Sequence, residues 1–497
     1  MTHHFYHAAA AARRRTVLAA VSRLALRGRL TEEIAGLPES LTAAAEFADE
    51  PTAGIISGQP IVCSDLFSME AGGAAGLVGN IRSALGLSPQ DKTEDNLTAA
   101  AAAALSQAKV TEPIIAVNAA ACDGCAGAEK QCLAVCQVDA LTDNNGTVAI
   151  DDERCLRCGL CVPACPRGAI TDKAANLPVI NLLQSGIPVF ALIAPAFAGQ
   201  FGVRQEQVKA GLLSLGFAGV VEVALAADVI TISEADEFIS RTDNGAGFMI
   251  TSCCCPSFLK LVEKYRSQLA YLISPSVSPM IAMGRLVKAR EREHGRNVRT
   301  VFIGPCIAKK SEALLPELSD AIDAVLTFQE TAALFAAADI RLAELAAAEP
   351  LQDASHDGRS YGHTGGVSAA IARSLRTLGH RGPIRTAQGD GIAECKRLLD
   401  QAESGILDAN FIEGMACPGG CVGGPGKLVE TNVGAAGVDD FADVSPSREA
   451  AANRIALELA RRYRNRLHLV SAHHGAFGGL GLGSDPVRVR RRPEAQK

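Results

Sequence analysis

The residues of this sequence best able to do chemistry are its 16 cysteines, and they are clustered. Eight fall between 122 and 165, three are consecutive at 253–255, one is at 306, and two are at 417 and 421. Only Cys63 and Cys395 stand alone. Cys155, Cys158, Cys161 and Cys165-Pro166 read C-x2-C-x2-C-x3-C-P. In such a run a tight loop aims three thiolates at three corners of one [4Fe–4S] cube, and the fourth reaches a second cube. Cys122, Cys125, Cys132 and Cys136 form a looser version, C-x2-C-x6-C-x3-C, with no proline after Cys136. The implied pairing sets Cys165 with Cys122, Cys125 and Cys132, and Cys136 with Cys155, Cys158 and Cys161. Zinc is the competing occupant of a four-thiolate site. Two interleaved sets favour iron–sulfur cubes, which also carry electrons.

Composition excludes several other classes. Lys and Arg total 48 against 54 Asp and Glu, a net charge of −6, which disfavours general nucleic-acid binding. With 16 Phe, 5 Tyr and no Trp, stacking platforms for single strands are not expected. A 48% hydrophobic content excludes wholesale disorder. The chain is too long and too sparsely cross-linkable for a secreted disulfide scaffold, so clustered thiols point to metal in a reducing, cytoplasmic setting. No segment reaches the ~18 continuous apolar residues of a membrane span. Arg13-Arg14-Arg15 before Thr16–Val21 has the look of a twin-arginine export signal, but Arg23 and Arg27 interrupt the apolar run. An amphipathic helix is the favoured reading there.

At 497 residues the chain predicts two to four domains. Residues 1–112, rich in Ala with helical patterns near 14–35 and 97–108, form a helical N-terminal region that reads as a docking element. Residues 113–172, with apolar runs Ile114–Val117 and Val148–Ile150 beside the cysteines, read as an α+β two-[4Fe–4S] ferredoxin-like domain. Pro178 and Pro188 mark a connection. Residues 187–465 alternate strands (Val189–Ile193, Phe248–Ile250, Thr300–Ile303) with helices (204–215, 233–241, 256–271, 279–292), which predicts an α/β domain. Residues 471–497, Gly-rich and then carrying Arg488, Arg490, Arg491 and Arg492, read as a flexible tail.

Three cysteine segments lie in that α/β domain: Thr251-Ser252-Cys253-Cys254-Cys255-Pro256, Gly304-Pro305-Cys306-Ile307-Ala308-Lys309-Lys310, and Glu413-Gly414-Met415-Ala416-Cys417-Pro418-Gly419-Gly420-Cys421. They resemble the three signature motifs of [FeFe] (iron-only) hydrogenases. Ala194-Pro195-Ala196 and His363-Thr364-Gly365-Gly366-Val367 resemble further segments of that family, and the likeness runs from about 113 to 465. The triple cysteine and long N-terminus are similar to a less-studied branch. Without this resemblance, composition and spacing reach only an iron–sulfur redox protein.

The resemblance implies an H-cluster domain of the iron hydrogenase fold. Its H-cluster is a [4Fe–4S] cube joined through a cysteine sulfur to a two-iron unit with CO, cyanide and a bridging dithiolate. Cys255, Cys306, Cys417 and Cys421 would ligate the cube, with Cys421 bridging. Cys254 would be the free thiol that moves protons, followed by Glu234, Ser274, Glu237 and Arg241. Glu234, Glu237 and Arg241 stand at i, i+3 and i+7 on one helix face, as they also would on a plain solvated helix. Lys309 would donate to a cyanide; Met415, Ala194 and Pro195 would line the two-iron unit. The register is anchored on Pro256; slipping it by one makes Cys254 the ligand and Cys253 the acid.

Three residues depart from the family pattern: Gly304 where Met is common, Phe258 where Trp is common, and Met280 where Gln is frequent. The implied activity is reversible H2 oxidation and proton reduction, with H2 and protons as substrates. A ferredoxin-like or other redox protein would be the electron partner, and maturation proteins would build the two-iron unit. The alternatives are a hydrogen sensor of low turnover, or an iron–sulfur assembly protein of the same fold.

Overall fold

The computed structural model describes residues 2–41, 73–90, 96–122, 125, 130–243, 248–251 and 254–463. Cys63, Cys253 and the tail 471–497 lie outside these residues.

Helix α1 (Thr2–Leu26) buries Val17, Val21 and Ala25, spaced four apart on one face, together with Leu18. Helices α2 (Gly73–Ala84) and α3 (Leu97–Ser106) follow, and the Asn96 side chain caps α3 by accepting from Ala99 N. Arg13 Nη2 donates to Pro166 O at 2.9 Å, and Arg23 Nη2 donates to Ala336 O at 2.8 Å. The Arg13–Arg15 stretch is thus built into the packed structure.

Strands β1 (Ile115–Val117), β2 (Leu141–Asn144), β3 (Thr147–Ile150) and β4 (Ile170–Asp172) form two antiparallel pairs, β1 with β4 and β2 with β3. Asn145 and Gly146, with φ of 51° and 92°, make the β2–β3 hairpin turn that an Asn-Gly pair favours. The eight clustered cysteines are carried on the loops and short helices between these strands.

The chain then runs through α4 (Asn176–Gln184), β5 (Val189–Ile193), α5 (Gln205–Ser214), β6 (Gly219–Glu222), α6 (Ala224–Asp243), β7 (Met249–Thr251) and α7 (Pro256–Tyr265). It continues as α8 (Pro279–Glu293), β8 (Arg299–Ile303), α9 (Ala308–Glu312), β9 (Ala324–Leu326) and α10 (Phe328–Ala337). After these come α11 (Gly366–Thr377), β10 (Thr386–Asp390), α12 (Ile392–Glu403), β11 (Phe411–Met415), α13 (Thr431–Asp443) and α14 (Arg454–Tyr463). Two parallel sheets result, ordered β6-β5-β8-β9 and β10-β11-β7. Helices cover them, so β5 reads as an unbroken apolar run and β8 as one from Val301 to Ile303.

Three element boundaries differ from expectation. The helix expected near 14–35 spans Thr2–Leu26 and ends just before Gly28, whose φ is 69°. Helix α6 starts at Ala224, because residues 224–235 are buried all round and show no polar face to mark a helix. The helix expected over 256–271 stops at Tyr265: Arg266 leaves helical geometry at φ −143°, ψ 46°, and its Nε donates to Asp400 on α12 at 2.9 Å. A single apolar core runs from Leu18 through Ile81 and Ile170 to Ile303 and Phe328, uniting the N-terminal helices, the cysteine-rich module and the first sheet. Every cysteine loop of the α/β part leaves the carboxyl end of a strand: β7, β8 or β11. Those ends are where parallel sheets gather ligands.

Candidate active site

Each of these loops is shaped by a local rule. Pro256 opens α7, and its fixed φ sets Cys255 in extended geometry just before the helix. Cys306 lies between β8 and α9. In the loop after β11, Gly419 and Gly420 have φ of 80° and 84°. A Cβ on Gly420 would lie 2.5 Å from Thr364 N, so only glycine lets the His363–Val367 loop come this close to the cysteines.

The four thiols lie within electrostatic reach of one another. Cys417 is coupled to Cys306, Cys255 and Cys421, and Cys421 to Cys306 and Cys255. Burial pushes the Cys306 thiol up to about 11 and the Cys421 thiol up to about 12, and drives Cys417 upward as well. Four half-buried thiols in such apposition become thiolates only against a strong local positive charge, which an iron–sulfur cube supplies. Ala416 N also donates to Cys255 Sγ at 3.5 Å, a contact suited to a cluster thiolate. The donor set therefore fits a cube. Among the described residues no three His, Cys, Asp or Glu side chains converge as closely as a single ion requires. A four-iron cube needs no such convergence, since its ligands sit at separate corners.

The module's eight thiols lie close together, and Cys161 is within electrostatic reach of both Cys136 and Cys132, where the two implied sets adjoin. Cys132 is coupled to Cys165, Cys125 and Cys122. Cys155, Cys158 and Cys161 are each coupled to Cys136. The doubled motif is visible in the backbone: Ala140 N donates to Cys136 Sγ at 3.2 Å, and Ala169 N to Cys165 Sγ at 3.3 Å, four residues on in both cases. Cys158 is in turn coupled to Cys255, and Cys417 to Cys158. Gly159, at φ 79°, explains the closeness: a Cβ there would lie 2.8 Å from Ile307 and 3.2 Å from Pro425. The module's second cysteine loop rests directly on the loops after β8 and β11.

Around the four cysteines, Cys254 and Met415 share one buried apolar cluster. Burial first, then Cys421 and Cys255, push the Cys254 thiol upward, while Lys309 opposes this. Lys309 is buried and donates to Glu312 Oε2 at 2.7 Å. Burial alone would push its ammonium down, but Glu312 and Cys306 more than offset that. Ala194 and Pro195 are buried at the end of β5. A Cβ on Gly304 would lie 2.7 Å from the Phe302 ring and 3.1 Å from the Ala194 Cβ, so this backbone leaves no space for the usual methionine. The Phe258 ring fills the space beside Gly414, and Met280 belongs to a separate apolar cluster.

Helix α6 presents the expected acids. Ser274 Oγ donates to Glu237 Oε2 at 3.1 Å, and Arg241 Nε donates to Glu237 Oε1 at 2.8 Å. Arg241 also donates to Leu272 O and Ile273 O, both at 3.1 Å. Glu234 accepts from Thr251 Oγ1 at 2.5 Å, which ties it to the strand leading to Cys254. Exposure rises outward, from 0% at Glu234 and 3% at Ser274 to 18% and 21% for the Glu237 and Arg241 side chains. The set therefore runs from interior to surface.

Sequence reasoning missed Thr251, Glu312 and Glu413. Glu413 accepts from Gly365 N at 2.9 Å and Ser368 N at 2.8 Å, capping α11 from across the site because Gly365 has no side chain to do so. Their only sequence signal was membership of, or adjacency to, the cysteine motifs.

Residues 187–425 match the family described as iron only hydrogenase large subunit, C-terminal domain, and 148–171 match the 4Fe-4S binding domain. The periplasmic [Fe] hydrogenase large subunit of Nitratidesulfovibrio vulgaris is 30% identical over 367 residues, covering 58% of this chain and 87% of that protein. The chain belongs to the iron-only hydrogenase family. The fold agrees: the apo [FeFe]-hydrogenase HydA1 of Chlamydomonas reinhardtii superposes with a TM-score of 0.50 at 23% identity, over 58% of this chain and 93% of that one. Other relatives of this hydrogenase-family chain carry different names. A cytosolic Fe-S cluster assembly factor of Drosophila mojavensis is 24% identical over 349 residues, covering 57% of this chain and 73% of that protein. Among the described residues no helix is long and apolar enough to cross a membrane.

Proposed function

We propose that this chain is an enzyme that interconverts H2 with protons and electrons, using two [4Fe–4S] clusters and an H-cluster. Cys255, Cys306, Cys417 and Cys421 would hold the H-cluster's cube, Cys421 bridging to the two-iron unit. Lys309 would donate to a cyanide, and Met415, Ala194 and Pro195 would wall the unit. When bound, that unit supplies an open iron position at which H2 is formed or split. The protein's part is proton and electron handling. Cys254 Sγ holds a proton beside Cys421; its neutral form is the one that burial favours. Glu234, Ser274, Glu237 and Arg241 carry the proton outward, ending at the partly exposed Glu237–Arg241 pair. The module, whose Cys158 loop rests on the loops after β8 and β11, would hold the clusters that supply electron transfer to the site.

The observation that carries this reading is a buried thiol, Cys254, within electrostatic reach of Cys421 and of the buried Lys309. An assembly factor of the same fold needs the cysteines for a cube but no proton path. The test is hydrogen turnover by anaerobically matured protein. Turnover that Cys254→Ala removes while iron content stays constant supports the enzyme. Fully loaded protein with no turnover and no two-iron unit supports the assembly reading, which matches the names of some relatives. The expected partners are a ferredoxin-like redox protein and the maturation proteins. The quantity of free thiol supports a cytoplasmic setting, although one relative is named as periplasmic.

A further inference from the structure

Three buried charges and the partly buried Arg14 meet between the N-terminal helix, the module and the catalytic domain, away from the proton path. Lys310 Nζ donates three hydrogen bonds, each of 2.8 Å, to Asp172 Oδ2, Lys173 O and Glu330 Oε1. An ammonium has three protons, so Lys310 is saturated and held from three sides. Asp172, the last residue of β4, pairs through its other oxygen with Arg14 of α1. Glu330 of α10 accepts also from Ala175 N at 2.7 Å and Thr327 N at 2.6 Å. The side chains of Asp172, Lys310 and Glu330 are fully buried, and two cations balance two anions. Lys310 lies on α9 next to Lys309, four residues after Cys306. Arg13, one residue before Arg14, binds Pro166 O just after Cys165. Helix α1 therefore grips the module at both ends of the 166–172 segment that follows Cys165.

We propose that Arg14 is a positioning residue for the cysteine-bearing loop after β8: through Asp172 and Lys310 it fixes the segment that carries Cys306 and Lys309. The reason is charge balance in a place water does not reach. Without Arg14, two carboxylates share one ammonium, and the imbalance is relieved by protonating Asp172 or by shifting Lys310. Either change loosens α9. Buried ion networks commonly contribute geometry more than stability, and here the geometry fixed is that of a ligand loop. The proposal rests on the reading that Cys306 holds a cube, and it does not require the two-iron unit.

The test uses the full-length chain reconstituted anaerobically with iron and sulfide alone, followed by an electron-spin-resonance redox titration. Cys306→Ala first identifies the cube concerned, by loss of one signal; no such loss refutes the ligand reading, and this proposal with it. With the cube identified, Arg14→Met is expected to alter its g-values and change its reduction equilibrium at least tenfold, about 59 mV. The cube held by Cys136, Cys155, Cys158 and Cys161 is expected to change less than about threefold. Arg14→Lys and the charge-balanced Arg14→Met with Asp172→Asn are expected to return within about threefold of the parent. Should Arg14→Met fail to accumulate, Asp172→Asn alone, which leaves the opposite imbalance, is expected to change the same cube tenfold. An unchanged Cys306 cube in whichever of these two variants folds overturns the proposal.

Discussion

The module and the catalytic domain hold their cysteines in contrasting ways. In the module, Cys155, Cys158 and Cys161 lie on one tight loop, and a single short segment determines where their sulfurs point. In the catalytic domain, Cys255, Cys306 and the Cys417–Cys421 pair come from three loops at the ends of β7, β8 and β11, strands of two different sheets. The position of each sulfur there depends on a sheet, a helix start such as Pro256, and glycines that admit neighbouring backbone. A local motif builds an electron carrier; a distributed one leaves room for Cys254, Lys309 and Met415 to crowd one side of the site.

That contrast can be broken from either side. The largest effect is expected from Cys255→Ala, which should lose the domain's cube and with it all hydrogen turnover. Cys155→Ser should damage one relay cube and leave the CO and cyanide bands of the matured protein intact. Iron analysis and infrared spectra of both variants check this, and loss of the bands in Cys155→Ser would show that the two regions are not separable. Cys254→Ala is expected to keep its iron while turnover falls at least about a hundredfold, the lower range for a positioned acid–base group. Glu237→Gln should cost less, about tenfold, because Glu237 stands at the partly exposed outer end of the set, where water can substitute in part.

The smallest effect concerns the joint between the regions. Arg14 and Lys310 hold the Asp172 carboxyl down at about 2, although burial alone would push it up. A depressed carboxylate contributes stability above its unfolded value near 3.8 that is lost as pH falls toward about 2. The contribution is roughly 2 kcal/mol. Thermal unfolding of the full chain under reducing conditions should show a steeper decline below pH 4 for the parent than for Asp172→Asn.

The same contrast explains what the sequence could reveal. The module's cluster-binding character was legible because the C-x2-C-x2-C-x3-C-P spacing is confined to one short segment. Strands β5, β7 and β8 were legible as apolar runs, whereas β10, Thr-Ala-Gln-Gly-Asp, carries no such signal and exists because it pairs with β11. The start of α6 was hidden because a helix buried all round has no periodicity to read. Among site residues, Glu234, Glu237 and Arg241 were singled out by the family resemblance, since their spacing alone equally fits a plain solvated helix. Thr251 and Glu413 were not, since their partners, Glu234 on one side and Gly365 and Ser368 on the other, are neighbours only in the folded chain. The Arg14–Asp172–Lys310–Glu330 network joins three distant segments, and nothing local in any of them announces it.

Infrared spectroscopy of the anaerobically purified, matured full-length protein tests the central claim most directly. Bands of metal-bound CO and cyanide are expected, together with iron for three cubes and a two-iron unit, about fourteen in all by the family pattern. A preparation with iron for all three cubes and no such bands, from a host that matures a known hydrogenase in parallel, would contradict the claim and leave the chain as an iron–sulfur protein without hydrogen chemistry.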